Sequence, residues 1–239
     1  MSLTQQPDFT RIGNRLLAQL PPPLFDCLKP SLQRLPLGAG RRLFCAHEPI
    51  RTLYFPESGM VSLAVTLKSG ESLDVDVVGS DGVVGFPGLD RDAAMGCDAV
   101  VQIAGVALQA DADAMRRLMA SEEPARELMG RFTQWMLRRS MQSAACLAFH
   151  PVKARCARWL LVTHDLVARD ELPLTHDRLA RLLGVRRASV TLELGALEAA
   201  GLITHSRGRV VARNRSGLER ASCECYAAIR DERRKLFKK

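Results

Sequence analysis

Hydrophobic and polar positions alternate with period two in the first half of the chain and with helical period in most of the rest. Val61, Leu63, Val65 and Leu67 alternate with Ser62, Ala64 and Thr66. After Lys68-Ser69-Gly70-Glu71, Leu73, Val75 and Val77 alternate with Asp74 and Asp76. Two such runs around a Gly-containing turn predict a β-hairpin, and residues 53–85 as a whole read as β structure. Val100, Val101, Ile103, Val106 and Leu108 supply further strand-like sequence over 99–108. Glycines at 79, 82, 85 and 88 suit the tight turns of a small roll or barrel.

Helical spacing takes over at 111–119, and Pro124 is placed to open a longer helix running to about Phe149. That helix carries two apolar stripes. One is Leu128, Phe132, Trp135 and Met136; the other is Leu137, Ser140, Met141, Ala144 and Leu147. A helix with two stripes is covered on two sides. One side can pack on the β domain and the other on a partner helix; an internal core helix of a monomer is the alternative. His150-Pro151 ends the helix and marks a boundary near 148–151. Beyond it the pattern reads as helix 152–168, linker 169–174, helix 175–183, turn 184–186, helix 187–200 and a hairpin.

The stretch THDRLARLLGVRRASVTLELGALEAAGLI, residues 175–203, carries the most specific signal. Thr175 is a good N-cap, and Leu179, Leu182 and Leu183 form an inner face. Gly184 can end the first helix with positive φ. The second helix turns Val190, Leu194 and Leu197 inward and Arg187, Ala188, Thr191 and Leu192 outward, with Arg186 at its start. Two short helices joined by a Gly-containing turn, with Arg at the start of the second, match a helix-turn-helix. Leu202-Ile203-Thr204, the turn Ser206-Arg207-Gly208 and Arg209-Val210-Val211 then predict a wing. Its Arg207 and Arg209 can reach phosphate oxygens.

Charge supports this reading. Residues 1–150 hold 15 Lys+Arg against 16 Asp+Glu, and residues 151–239 hold 19 against 10, so all of the net +8 lies in the last third. A basic domain beside a neutral one is the footprint of nucleic-acid binding. With 47% hydrophobic residues the chain can build one or two cores, which excludes a disordered tail or fibre. No apolar run is long enough to span a membrane, and MSLTQQPDFT has no signal-peptide pattern. A cytoplasmic chain with reduced thiols and no membrane partner is expected.

At these residues the chain resembles the Crp/Fnr family of bacterial transcription regulators over nearly its whole length. YFPESGMVSLAV and the following hairpin resemble the family's cyclic-nucleotide-binding-like β-roll, the 125–149 helix its dimerisation helix, and LTHDRLARLLGVRRASVTLELGALEAAGLI its winged helix-turn-helix. The resemblance implies an α+β chain in three parts: a sensor β-roll over 1–122, a dimerisation helix over 123–150, and a winged helix-turn-helix with a C-terminal tail over 151–239. It implies a homodimer on a two-fold symmetric double-stranded DNA operator, with RNA polymerase as a further potential partner. Arg187 falls where the family reads a base, and Ser189 and His176 fall where it contacts the backbone; Thr175 and the wing's Arg207 and Arg209 are the further backbone candidates. Ala188 stands where well-known members carry a base-reading Glu, and Leu192 where some carry a second Arg. Arg186 and Thr191 are therefore the candidates for the missing readout. Leu137, Ser140, Ala144 and Leu147 are the expected dimer contacts.

The sensor departs further. Cyclic-AMP-binding members hold the ribose and phosphate with a Glu and an Arg-Ser pair; the matching stretch here is GFPGLDRDAAMGCDAV. Phe86 replaces the Glu, Gly96 the Arg and Cys97 the Ser. A phosphodiester needs that guanidinium. The expected effector region comprises Phe86, Gly88, Arg91, Gly96 and Cys97, with Ser140 and Met141 on the helix; the effector and any cofactor are unknown.

Cysteines stand at 27, 45, 97, 146, 156, 223 and 225. Only Cys223 and Cys225 are close in sequence, in a segment that reads as helical, where residues two apart do not face each other. Zinc would need two further ligands that spacing does not identify, so no metal site is assigned. The alternative within the class is a thiol-, redox- or metal-responsive regulator using this pair. A cysteine-dependent enzyme is the rival class, but no spacing pairs a Cys with His47, His150, His164, His176 or His205, and no catalytic residue is assigned.

Overall fold

The computed structural model describes residues 12–86, 92 and 94–238. The chain divides into two compact units. The first comprises residues up to Val61 and Val78–Phe132; the second comprises Ser62–Val77 and Thr133 onward. Gly88 and Arg91 lie outside the described residues.

Among the described residues the first elements are a 3-10 turn at Leu17–Gln19 and helix α1 at Pro22–Leu28. Strands β1 (Gln33–Leu37), β2 (Arg42–Phe44) and β3 (Thr52–Pro56) follow. Strand β4 is Met60–Thr66 and β5 is Ser72–Val78. Strands β6 (Asp98–Ile103) and β7 (Gly105–Asp111) come next. One sheet has the order β1-β7-β3, all antiparallel, with Leu35 opposite Ala107 and Tyr54 opposite Gln109. A second has the order β2-β6-β4-β5.

The strand-like sequence over 99–108 falls in two strands, β6 and β7. Gly105 makes the division: a Cβ there would overlap the Ser58 carbonyl, so only glycine fits this approach. Asn14 is fully buried and pins the entry to the roll. Its Nδ2 donates to the carbonyls of Pro56 and Gly82, each at 2.8 Å, and its Oδ1 accepts from Leu17 N–H.

Helix α2 (Ala112–Ser121) starts at Asp111, whose carboxylate accepts from Ala114 N–H. Helix α3 runs from Glu123 to Phe149, two residues earlier than Ala125, with Pro124 in its first turn. Leu128, Phe132 and Trp135 are buried, as their stripe predicts.

In the second unit, α4 (Val152–Val167) ends where Ala168 turns to φ 52°. Strand β8 (Glu171–Leu172) lies in the stretch read as linker. It exists through pairing with a strand almost forty residues later, a contact that leaves no local pattern. Helices α5 (His176–Leu183) and α6 (Arg187–Ala199) follow, then β9 (Ile203–Ser206) and β10 (Arg209–Ala212) in the sheet order β8-β10-β9. Helix α7 is Arg215–Ala221, capped by Asn214, and α8 is Cys225–Leu236. Tyr226 of α8 ties these helices together: its hydroxyl donates to Asp165 and accepts from Arg215, which also pairs with Asp165 at 2.8 Å.

Candidate nucleic-acid interface

The α5–turn–α6 unit is built on a small apolar core. Leu179, Leu182, Leu183, Val190, Leu194 and Leu197 are all buried. Thr175 Oγ1 accepts from Arg178 N–H at 3.2 Å and so caps α5. Gly184 adopts φ 60°, and a Cβ there would press on the Leu73 side chain at 3.1 Å. A non-glycine residue at this turn is therefore disfavoured twice. Arg155 of α4 donates to the Leu183 carbonyl at 2.7 Å and satisfies one of the unpaired acceptors at the end of α5.

The residues expected to read bases share the outer face at the start of α6. Arg186, Arg187, Ala188 and Thr191 are exposed. Arg186 is the N-cap and makes no side-chain capping bond, and among the described residues Arg187 pairs only loosely, at 3.7 Å, with Asp177, both side chains being exposed. Such a pair is worth little in water and exchanges readily for another acceptor. Thr191 is less free: its hydroxyl bonds the Arg187 carbonyl at 3.2 Å and His176 Nδ1 at 2.9 Å. Leu192 is 75% exposed on the same helix, an apolar side chain with no place in the domain core.

The residues expected at phosphates surround that face. His176 and Ser189 are half-buried. Burial, with His205 and Arg187 nearby, holds His176 below the usual histidine value. Arg207 is exposed at the wing tip. Arg209 is held in place by Ser206 Oγ at 3.1 Å and Glu171 at 3.2 Å.

The positions expected near an effector are distributed differently. Phe86 is half-buried, Cys97 is buried, and Gly96 is exposed with nothing within 4 Å of a Cβ built there. Ser140 lines a cavity of 310 Å³ with Leu73, Val75, Ala144 and Trp159. Met141 lines another, of 480 Å³, between α3 and α8. The expected dimer contacts Leu137, Ser140, Ala144 and Leu147 are exposed along α3, with Leu137 at 56% and Met141 beside them at 61%.

The cysteine pair requires a correction. The segment around Cys223 and Cys225, read as helical, is not one helix. Ser222 is extended, Cys223 lies in the short link after α7, and Cys225 opens α8, so both sulfurs reach the same neighbours. These are Cys146 and His150, at the end of α3. Sequence reasoning missed the two because more than seventy residues separate them from the pair; the only available signal was their own four-residue spacing. Cys146 and Cys223 sulfurs lie 3.5 Å apart. Their hydrogen bond holds the Cys223 thiol below the usual thiol range and pushes that of Cys146 up.

Comparison with family models matches residues 34–122 to a cyclic nucleotide-binding domain and residues 154–221 to a Crp-like helix-turn-helix domain. Comparison with curated proteins gave no significant match. Among solved structures, FixK2 from Bradyrhizobium japonicum is 16% identical, with a TM-score of 0.69 over 80% of this chain and 98% of its own. A CRP-family transcriptional regulator from Thermus thermophilus is 25% identical, with a TM-score of 0.62 over 79% and 96%. The c-di-GMP responsive global regulator CLP of Xanthomonas campestris is 21% identical, with a TM-score of 0.62 over 80% and 98%. No helix among the described residues is long and apolar enough to cross a membrane.

Proposed function

The chain belongs to the Crp/Fnr family of transcription regulators, and from that premise we propose that it works as a homodimer which reads a two-fold symmetric operator with α6 and answers to a signal other than cyclic AMP. The exposed start of α6 carries the reading. Arg186 and Arg187 project there with no strong partner, and the wing arginines stand beside them. Arg187 is assigned to a guanine edge, where a guanidinium meets O6 and N7 together. Arg186 and Thr191 complete the base readout, and Leu192 offers an apolar surface to a thymine methyl. Thr175, His176, Ser189, Arg207 and Arg209 are assigned to the phosphate backbone, which fixes register.

A second copy is the natural cover for the apolar side of α3. Leu137, Met141 and Leu147 are large and exposed on α3, with small Ser140 and Ala144 between them. This pattern allows two helices to approach closely. Bound at a promoter, such a dimer would recruit or exclude RNA polymerase. Phe86, Gly96 and Cys97 provide no charged group for a cyclic phosphodiester, which supports a different effector chemistry.

Mapping of bound sites across a genome, or selection from random duplexes, tests this reading. The expected result is a palindromic site whose half-sites lie about one helical turn, ~10 bp, apart. Recovery of sites without two-fold symmetry would reject the homodimer, and recovery of no preferred sequence would reject base reading by α6.

A further inference from the structure

Three sulfurs and one imidazole converge where the end of α3 meets the start of α8. Cys146 is in the last turn of α3, and His150 follows one turn later, its N–H bonded to the Cys146 carbonyl. Cys223 and Cys225 arrive from the α7–α8 link. Cys225 Sγ is 3.6 Å from His150 Nδ1, and all four ligand atoms lie within 4.8 Å of one another. All three cysteines are buried.

A zinc-type ion with bonds of about 2.0–2.3 Å sets its four tetrahedral ligands about 3.5–3.8 Å apart. The set observed here is therefore one small inward movement from coordination. A multi-iron cluster spreads its ligands wider than this.

The surroundings suit an ion as well. His150 Nε2 lies 3.1 Å from the Glu224 carboxylate, which leaves Nδ1 facing the sulfurs. A carboxylate behind a ligating histidine fixes its tautomer and ring orientation. Gln142 Nε2 donates to Cys225 Sγ at 3.0 Å. Arg158 is buried, makes no ion pair with a carboxylate among the described residues, and acts electrostatically on both Cys146 and Cys223. Three thiolates and a neutral imidazole around a divalent cation leave one net negative charge, which this guanidinium offsets.

We propose that Cys146, His150, Cys223 and Cys225 bind one divalent cation of the zinc class, as a closed tetrahedral site that clips α8 to the end of α3. Four protein ligands leave no open position, so the site is structural rather than catalytic. Up to three S–H protons leave as three sulfur–metal bonds form, and no electrons are transferred. The clip closes a loop of 77 residues that contains the whole winged domain. The proposal does not depend on what the dimer binds.

The test is metal analysis of the full-length protein purified under reducing conditions, with cobalt(II) replacing zinc. One zinc per chain is expected, and cobalt should give the intense visible bands of tetrahedral thiolate coordination. Cys225→Ser and His150→Ala should each abolish the stoichiometric metal, while Cys27→Ser and Cys45→Ser leave it in place. Glu224→Gln should keep the site but weaken metal affinity by about 10–100-fold through the loosened histidine. A metal-free protein that takes up neither ion overturns the proposal, as does a Cys146–Cys223 disulfide in the reduced preparation. Octahedral cobalt or an iron–sulfur chromophore would do the same. Should a variant fail to fold, the cobalt spectrum of the wild-type protein still decides.

Discussion

Asp76 and Arg139 are buried and oppositely charged, with Arg139 donating twice to Asp76 Oδ2, at 2.6 and 3.0 Å. The guanidinium also lies 4.1 Å over the Trp135 ring. Removing one member leaves the other charged and dry, which costs about 3–5 kcal/mol, whereas replacing both with apolar side chains of similar size costs far less. Asp76→Ala should therefore lower the urea midpoint sharply, and the pair Asp76→Leu with Arg139→Met should recover most of it. Equal losses in the single and paired variants would contradict this account. The alternation over 73–77 places the aspartates on the polar side of the strand. The structure buries Asp74 and Asp76 and leaves Leu73 and Val75 half-buried. Period two identified the strand, but both of its sides carry buried residues: Val77 is fully buried on the side of Leu73 and Val75, and Asp76 is buried against a guanidinium 63 residues away. Burial also pushes the Asp74 carboxyl above the usual carboxylate range, with Arg181 4.0 Å away acting against the rise.

At the scale of elements, legibility follows sequence distance. Helices α4, α5 and α6 begin and end within a residue or so of their sequence signals, because caps such as Thr175 and Gly184 are local chemistry. Strands β1 and β2 are short and carry Pro36 or no alternation, and β8 is two residues long, so none announces itself. The cysteine site was half legible: the Cys223 and Cys225 spacing is visible, but the link between α7 and α8 that turns both sulfurs toward Cys146 is not. Helix α3 carries the prediction at this scale. Leu137→Glu or Ala144→Glu places a charge on the exposed apolar stripe, and either should give monomers by light scattering at micromolar concentration and abolish operator binding. A wild-type protein that is already monomeric at that concentration would contradict the dimer.

For the whole molecule, the excess positive charge and the helix-turn-helix occupy the same last third of the chain, while the roll is nearly neutral. Calorimetry with cyclic AMP should show no micromolar one-to-one binding per subunit, because the family resemblance puts Gly96 where cyclic-AMP-binding members carry a phosphate-binding arginine; tight binding would contradict the departure argued for the roll.

The most direct test of the central claim measures affinity for operator and for random DNA, over a range of salt, for the wild-type protein and two variants. Arg187→Ala should cost ~1–3 kcal/mol on the operator and relax preference at one base pair per half-site, with little change on random sequence. Arg209→Ala should weaken both DNAs alike and reduce the salt slope by roughly one unit per site. If both variants weaken both DNAs by the same factor, Arg187 does not read a base; if neither has any effect, the winged helix-turn-helix is not the DNA-binding surface.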